Sequence, residues 1–305
     1  METKRFYSHG KLLLSGEYMV LDGALALTLA LNKGQHMEVS PSNDQTIHWR
    51  AYDENNLIWF QANLSAANFE VLSSNDRYRA EKLSMIMGMA RNLNPDFLMS
   101  GGTRVNNHLE FSRLWGFGSS STYISNIAAW ANVDPFALFF KTSGGSGYDI
   151  ASARASGPLF YQRLESTPKI EPVAFRPSFR DQLYFVYTGL KKDSDAGIEF
   201  YRRLVKPKPS EIASLSAVAV EMTQAPSLTD FEVCMMKHER IISRFLHLKP
   251  VKEERFSDFE GEIKSLGAWG GDFLLVTWTG TLNELRSYFA SKTINLIFGY
   301  DELVL

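Results

Sequence analysis

The heptapeptide Gly116-Phe117-Gly118-Ser119-Ser120-Ser121-Thr122 holds the residue types that a bound phosphate needs. Glycines let backbone N–H groups come close to an anion, and a helix starting just behind them adds the positive end of its dipole. Serine hydroxyls supply further donors or a ligand for Mg2+. The spacing is not a dinucleotide fingerprint, because Ser121 stands where the third glycine belongs, and no G-x-x-x-x-G-K-[ST] run occurs in the chain. Taken alone, the loop reads equally as a tight turn with a serine-rich helix cap.

Three other glycine-marked segments carry charge. Gly10-Lys11 and Gly16-Glu17 place a lysine and a glutamate at strand ends, where the lysine can neutralise phosphate or the two can form a surface salt bridge. Ser143-Gly144-Gly145-Ser146-Gly147-Tyr148-Asp149-Ile150-Ala151-Ser152 ends in a carboxylate that suits a base, a charge anchor or a helix N-cap. Ser265-Leu266-Gly267-Ala268-Trp269-Gly270-Gly271-Asp272-Phe273 is a glycine turn feeding a strand, or a plain hairpin. Lys191-Lys192 after Thr188-Gly189 is either a solvated turn or a site for an anionic substrate.

Other chemistries lack their parts. Cys234 and His238 are four apart on an expected helix, but no second Cys/His pair completes a zinc set, so they read as a core thiol and a partly exposed histidine. Gly144-Gly145-Ser146-Gly147-Tyr148 misses the nucleophile-elbow pattern at its last position.

The elements that must hold these residues follow from periodicity. Arg5 to Tyr7 and the apolar runs between Gly10 and Gly23 read as strand, turn, strand. Residues 36–73 alternate apolar and polar with Ile47, Trp49, Tyr52, Ile58 and Phe60, which predicts antiparallel strands. Leu83, Ile86, Met87 and Ala90 predict a helix over 78–92 that stops at Asn94-Pro95, with Met85, Met87 and Met89 as core filling. Ile124, Ile127, Ala128 and Ala131 predict a second helix starting at the glycine-serine loop, and Asp134-Pro135 opens a third. Strands are expected at 182–187 and 273–278, and Thr229/Glu232, Ser257/Glu260 and Thr281/Glu284 look like capping boxes. Strands and helices alternate without successive β-α-β glycine signatures, so the fold class is α+β rather than a doubly wound parallel sheet.

A chain of 305 residues suggests two domains, and the Pro168-Pro172-Pro177 stretch puts the boundary at 167/168. Thirty-two basic against 34 acidic residues give a net charge of -2, so neither nucleic acid nor an anionic membrane is an expected partner. One cysteine excludes an internal disulfide and fits a reducing compartment. Gly16, Glu17 and Asp22 interrupt the first apolar stretch, so no signal peptide or membrane span is expected and the location is cytoplasmic.

Together the four glycine segments resemble the motifs of the galactokinase, homoserine kinase, mevalonate kinase and phosphomevalonate kinase superfamily, the GHMP kinases. The likeness covers most of the chain. Gly10 to Gly23 resembles the first motif, Gly116 to Ser121 the phosphate loop, Gly145 to Ser152 the catalytic-aspartate segment, and Gly267 to Asp272 the third motif. Gly147-Tyr148-Asp149-Ile150-Ala151 looks like the GYDIA-type branch. Glu17-Tyr18, the Gly-Ser-Gly-x-Asp form and the Gly270-Gly271-Asp272 ending are most similar to phosphomevalonate kinases. His9 stands at a usual proline, the phosphate loop lacks its upstream proline, and Trp269 replaces a glycine.

The resemblance implies a two-domain α+β fold, with a ribosomal protein S5 domain 2-like N-terminal domain (1–167) and a ferredoxin-like C-terminal domain (168–305). It implies an ATP- and Mg2+-dependent kinase of a small molecule, as a monomer or homodimer. The implied activity is phosphomevalonate kinase, in isoprenoid precursor synthesis by the mevalonate pathway. Mevalonate kinase or another GHMP kinase is the alternative, and a catalytically silent GHMP-fold binding protein is the third.

By the same resemblance, Gly116 to Thr122 holds the ATP phosphates with Ser120 or Ser121 near Mg2+, and Lys11 pairs with Asp149 and offsets charge on the moving phosphoryl group. Glu17, Ser146, Gly147, Tyr148, Thr188, Gly189, Lys191, Lys192, Gly270, Gly271 and Asp272 fall on the acceptor side. Asp149 is a base if the acceptor is a hydroxyl. An acceptor phosphate is already ionised, so there Asp149 orients, and extra cations such as Lys191, Lys192 or Arg113 are needed.

Overall fold

The computed structural model describes residues 2–99, 101–165, 167–190, 194–267 and 271–305. The chain runs β1 (Lys4–Ser15), a 3-10 turn (Met19–Asp22), β2 (Ala26–Ser42), β3 (Thr46–Tyr52), β4 (Ile58–Ser65), β5 (Val71–Ser74), α1 (Arg77–Leu93) and β6 (Gly102–Leu109). Next come α2 (Ser119–Ala131), α3 (Pro135–Thr142), α4 (Tyr148–Ala153), β7 (Leu159–Gln162), β8 (Lys169–Pro172) and β9 (Leu183–Tyr187). The rest is α5 (Ser194–Arg203), α6 (Pro209–Gln224), α7 (Leu228–Leu246), α8 (Val251–Arg255), β10 (Ile263–Leu266), β11 (Phe273–Thr277), α9 (Leu282–Ser291), β12 (Ile297–Gly299) and α10 (Tyr300–Leu303). The fold is α+β, in two compact units, neither of them one continuous stretch.

The first unit comprises Met1–Gly10, Lys33–Arg113 and Phe117–Arg154. Its sheet runs β5-β4-β3-β6-β2, parallel between β3 and β6 and antiparallel elsewhere. Alternation decides which face is buried: Ile47, Trp49 and Ala51 are buried while Arg50 is exposed. Trp49 stands opposite Ala62 of β4 and Val105 of β6, both buried. α1 covers that face with Leu83, Ile86, Met87 and Ala90, and α2 adds Ile124, Ile127, Ala128 and Ala131 to the same core. Each large aliphatic side chain so buried contributes roughly 1.5–3 kcal/mol. Of the three methionines, Met87 is in the core and Met89 packs against it, whereas Met85 is exposed.

Strand, turn, strand is corrected at the N-terminus: β1 is unbroken through Gly10, and residues 19–22 form a 3-10 turn. The chain turns instead at Gly16 (φ 100) and Tyr18 (φ 56). A Cβ on Gly16 would lie 2.8 Å from Ala26 Cα, so only glycine fits.

The second unit comprises Lys11–Asn32, Leu114–Gly116 and Ala155–Leu305. There the start of β2 pairs with β7, and β7 with β8, both antiparallel. A separate antiparallel sheet has the order β10-β11-β9-β12. β10 and β11 are buried along their whole length, and Leu274 and Val276 share a core with Leu285 and Phe289 of α9.

One of the three expected capping boxes forms as read, Thr281/Glu284 at α9. α7 is capped two residues earlier than Thr229, by Ser227, whose hydroxyl accepts from Asp230 N. Ser257/Glu260 opens no helix, because Gly261 lies so close to Thr277 O that a Cβ would overlap it, and the chain enters β10. No helix among the described residues is long and apolar enough to cross a membrane.

Candidate functional site

In the first unit the glycine-serine loop leads straight into α2. Gly118 is left-handed (φ 86) at the N-cap, and no side chain caps the helix. The first N–H groups of a helix have no intrahelical partner, so this end is open to an anion. Phe117 anchors the loop in the core with its ring 5.6 Å from that of Phe111. Thr122 is fully buried: its hydroxyl donates to Gln35 Oε1 at 2.6 Å and its N–H to Gly118 O at 3.0 Å. Ser121 is also buried, and its hydroxyl donates to Gly118 O at 2.8 Å. Ser119 is half-buried and Ser120 is exposed, so these two face outward. Of the two serines expected near Mg2+, Ser120 has the accessible hydroxyl, and the oxygen donors of this helix end fit a phosphate-bound cation.

Asp149 lies in the first turn of α4, behind left-handed Gly147 (φ 94), and α4 packs on α2. It is not the N-cap; that position is Gly147. A carboxylate in a first helical turn has the helix dipole in its favour. Ser146 is buried, and Tyr148 and Asp149 are half-buried. The Arg113 guanidinium lies over the Trp59 ring at 4.2 Å.

Two shallow recesses on the sheet of this unit, of ≈ 380 Å³ beside His48 and Asn63 and ≈ 300 Å³ beside His36 and His108, share no residue with the motifs.

In the second unit, Gly116, Thr188, Gly271 and Asp272 come together. Gly116 is left-handed (φ 67), and a Cβ there would overlap the Asp272 carboxylate. Thr188 N–H donates to Asp272 O at 2.9 Å and its hydroxyl to Gly271 O at 3.0 Å. The same hydroxyl accepts from Leu190 N at 3.1 Å, which closes the turn at left-handed Gly189. Upstream of Gly116, Trp115 packs edge-on against Phe298 at 5.4 Å, and Leu114 O accepts from Tyr187 Oη at 3.3 Å. Burial, then the nearby Asp272 charge, raises the Tyr187 phenol above its ordinary range.

Lys11, on β1, is only 9% exposed. Glu17 is 1% exposed at the turn after β1. Its Oε1 is ion-paired with Lys264 Nζ, and its Oε2 lies 2.6 Å from His238 Nε2. The Lys264 ammonium also donates to Ser265 O at 2.7 Å. His238 Nδ1 lies 3.9 Å from Glu239 Oε1, and neither Glu239 oxygen has a hydrogen-bond partner among the described residues. Burial pushes the Glu239 carboxyl up to about 8, while His238 is depressed by burial. Glu17 is shifted down, because the attraction of His238 and Lys264 outweighs its own desolvation.

The expected part exposure of His238 is therefore corrected: it is fully buried, and it belongs to an ionic cluster rather than to a surface. Cys234 is a buried free thiol, as expected. His238, Glu239 and Lys264 were not among the candidate residues, although the spacing Phe231, Cys234/Met235, His238/Glu239, Ile242 marks a buried helical face that includes two of them. Lys191, Lys192 and Gly270, with Trp269, lie outside the described residues.

No protein-family profile and no curated protein sequence matches the chain. Solved structures do match over almost its full length. Methanococcus jannaschii mevalonate kinase superposes with a TM-score of 0.71 at 15% identity, covering 97% of each chain. Streptococcus pneumoniae phosphomevalonate kinase, in complex with phosphomevalonate and AMPPNP, gives 0.71 at 17% identity over 97% of this chain and 99% of that one. Lactococcus lactis galactokinase complexed with galactose gives 0.65 at 11% identity over 98% and 93%. Kinases of different acceptors thus share this architecture with the chain. Its fold is the two-domain fold of the GHMP kinases, the superfamily that its four glycine motifs resemble.

Proposed function

We propose that the chain is an ATP-dependent GHMP-type kinase of a small molecule, with 5-phosphomevalonate as the acceptor and isoprenoid precursor synthesis as its setting. The observation that carries the kinase reading is the uncapped N-terminus of α2 behind Gly116–Ser121, with Asp149 on the helix packed against α2. Two helix ends, one open to an anion and one bearing a carboxylate, are what phosphoryl transfer asks of a protein whose work is positioning and charge stabilisation.

In this reading the backbone N–H groups of Ser119 and Ser120 hold ATP phosphate, and the Ser120 hydroxyl holds Mg2+. Mg2+, when bound, neutralises charge on the transferred group. Lys11 offsets the remainder. Asp149 orients the acceptor phosphate; with a hydroxyl acceptor it would take the proton instead. Thr188, Gly189, Gly271 and Asp272 form the acceptor-side turn of the second unit.

The choice of 5-phosphomevalonate is supported by the Gly-Ser-Gly-x-Asp and Gly-Gly-Asp forms of the motifs and by the likeness to the phosphomevalonate kinase of S. pneumoniae. Mevalonate kinase is the second reading, favoured by an equal TM-score of 0.71. ADP release measured with mevalonate, 5-phosphomevalonate, homoserine and galactose separates them. Release with 5-phosphomevalonate supports the proposal; no rate above background with it, alongside turnover of another acceptor, replaces the acceptor and keeps the kinase.

A further inference from the structure

Both Glu17 carboxylate oxygens face buried side chains. One oxygen takes the Lys264 ammonium and the other faces His238 Nε2 at 2.6 Å, with side-chain exposures of 2% for Glu17 and 0% for each partner. Gly16 N–H also donates to His238 Nε2 at 3.4 Å, so the imidazole sits against both the backbone and the carboxylate of the turn. A buried ion pair of this kind is weak as a stabilising device, since apolar side chains of similar volume commonly serve as well. What it does supply is fixed geometry.

The geometry it fixes is local to the turn. Left-handed Gly16 and Tyr18 flank Glu17 and bend the chain so that the carboxylate points inward. Tyr18 is held in that strained conformation by stacking on Tyr201 at 5.6 Å. Upstream, the turn is two residues from Ser15, the end of the strand that carries Lys11. Across the ion pair, Lys264 is on β10, which ends at Leu266 just before Gly267 of the third motif.

We propose that Lys264 and His238 are positioning residues that act through Glu17, and that Glu17 anchors the Lys11-bearing end of β1 rather than contacting the acceptor. The catalytic consequence rests on the kinase reading above; the anchoring does not.

The test compares wild type with Lys264→Met, Glu17→Gln, the double variant and the milder His238→Gln. ADP release is followed at saturating ATP with varied 5-phosphomevalonate, and thermal unfolding is followed without ligand. Displacing the strand that carries Lys11 lowers kcat about tenfold or more in each single variant, while the acceptor KM stays within about twofold. The double variant unfolds closer to wild type than either single variant, because both singles leave a buried charge alone and the double leaves none. A rise in acceptor KM confined to Glu17→Gln, with Lys264→Met kinetically like wild type, overturns the proposal in favour of direct contact. If a single variant does not fold, His238→Gln and the double variant carry the same kcat-against-KM comparison. If wild type releases no ADP with any acceptor, the kinase reading fails; the anchor then stands if the unfolding shifts are non-additive and falls if they simply add.

Discussion

In the proposed reaction the transfer chemistry depends on Asp149, and Gly147 places it. In the left-handed conformation Gly147 starts α4, so Asp149 lands in the first turn. Asp149→Ala is expected to lower kcat by roughly 10²–10⁴ if it transfers a proton, and by less if it only orients an ionised acceptor; ADP-release kinetics with each acceptor reads the difference. Gly116 makes a second prediction. Alanine there must adopt a positive φ and push aside the Asp272 carboxylate, so Gly116→Ala should raise the KM for ATP and lower the unfolding temperature. Steady-state kinetics and calorimetry check both. At this scale the sequence was informative where glycines fix the backbone, because a left-handed glycine beside a charged residue is legible without a structure. It was silent on Lys264 and Glu239, whose burial depends on partners more than 200 residues away at Glu17.

The elements show what periodicity can and cannot carry. α1, α2 and α3 form where apolar spacing and Asp134-Pro135 put them, because each buries apolar side chains in one shared core, α3 against α1 and α2. The capping boxes were harder. Four-residue patterns are short, and only at α9 does the rest of the local chain agree. Thr281 accepts from Glu284 N, and Glu284 Oε2 accepts from Thr281 N at 2.7 Å. Thr281→Ala should therefore cost about 1 kcal/mol of stability, measured by urea unfolding, whereas Thr229→Ala, beyond the Ser227 cap, should cost far less. The unbroken β1 was misread because Gly10 suggested punctuation.

At the scale of the whole molecule, the buried cluster makes stability depend on pH in a defined direction. Glu239 faces His238 on its own helix, Glu17 from the turn after β1, and Lys264 and Glu262 at β10. Its carboxyl is raised from 4.5 to about 8 by burial, so the proton it holds stabilises the fold below the ordinary value, and that stability is lost as pH rises through about 8. Glu17 and His238 are both depressed, so their contributions are present above the ordinary values and lost as pH falls. Stability should therefore peak between about pH 6.5 and 8, and Glu239→Gln should flatten the alkaline side. Urea midpoints from pH 4 to 9.5, on the order of half-unit steps, show whether it does.

The architecture as a whole was legible because four glycine motifs in order are more specific than any one of them. The loop at Gly116 alone could not be told from a capped turn; the proposed phosphate-binding role rests on the open end of α2 behind it. The most direct test of that role is ADP release from Mg-ATP by the wild-type chain across mevalonate, 5-phosphomevalonate, homoserine and galactose, with Asp149→Ala as control. The account predicts turnover with 5-phosphomevalonate that Asp149→Ala removes or sharply reduces. Absence of ADP release with every acceptor, or a rate unchanged in Asp149→Ala, would contradict it.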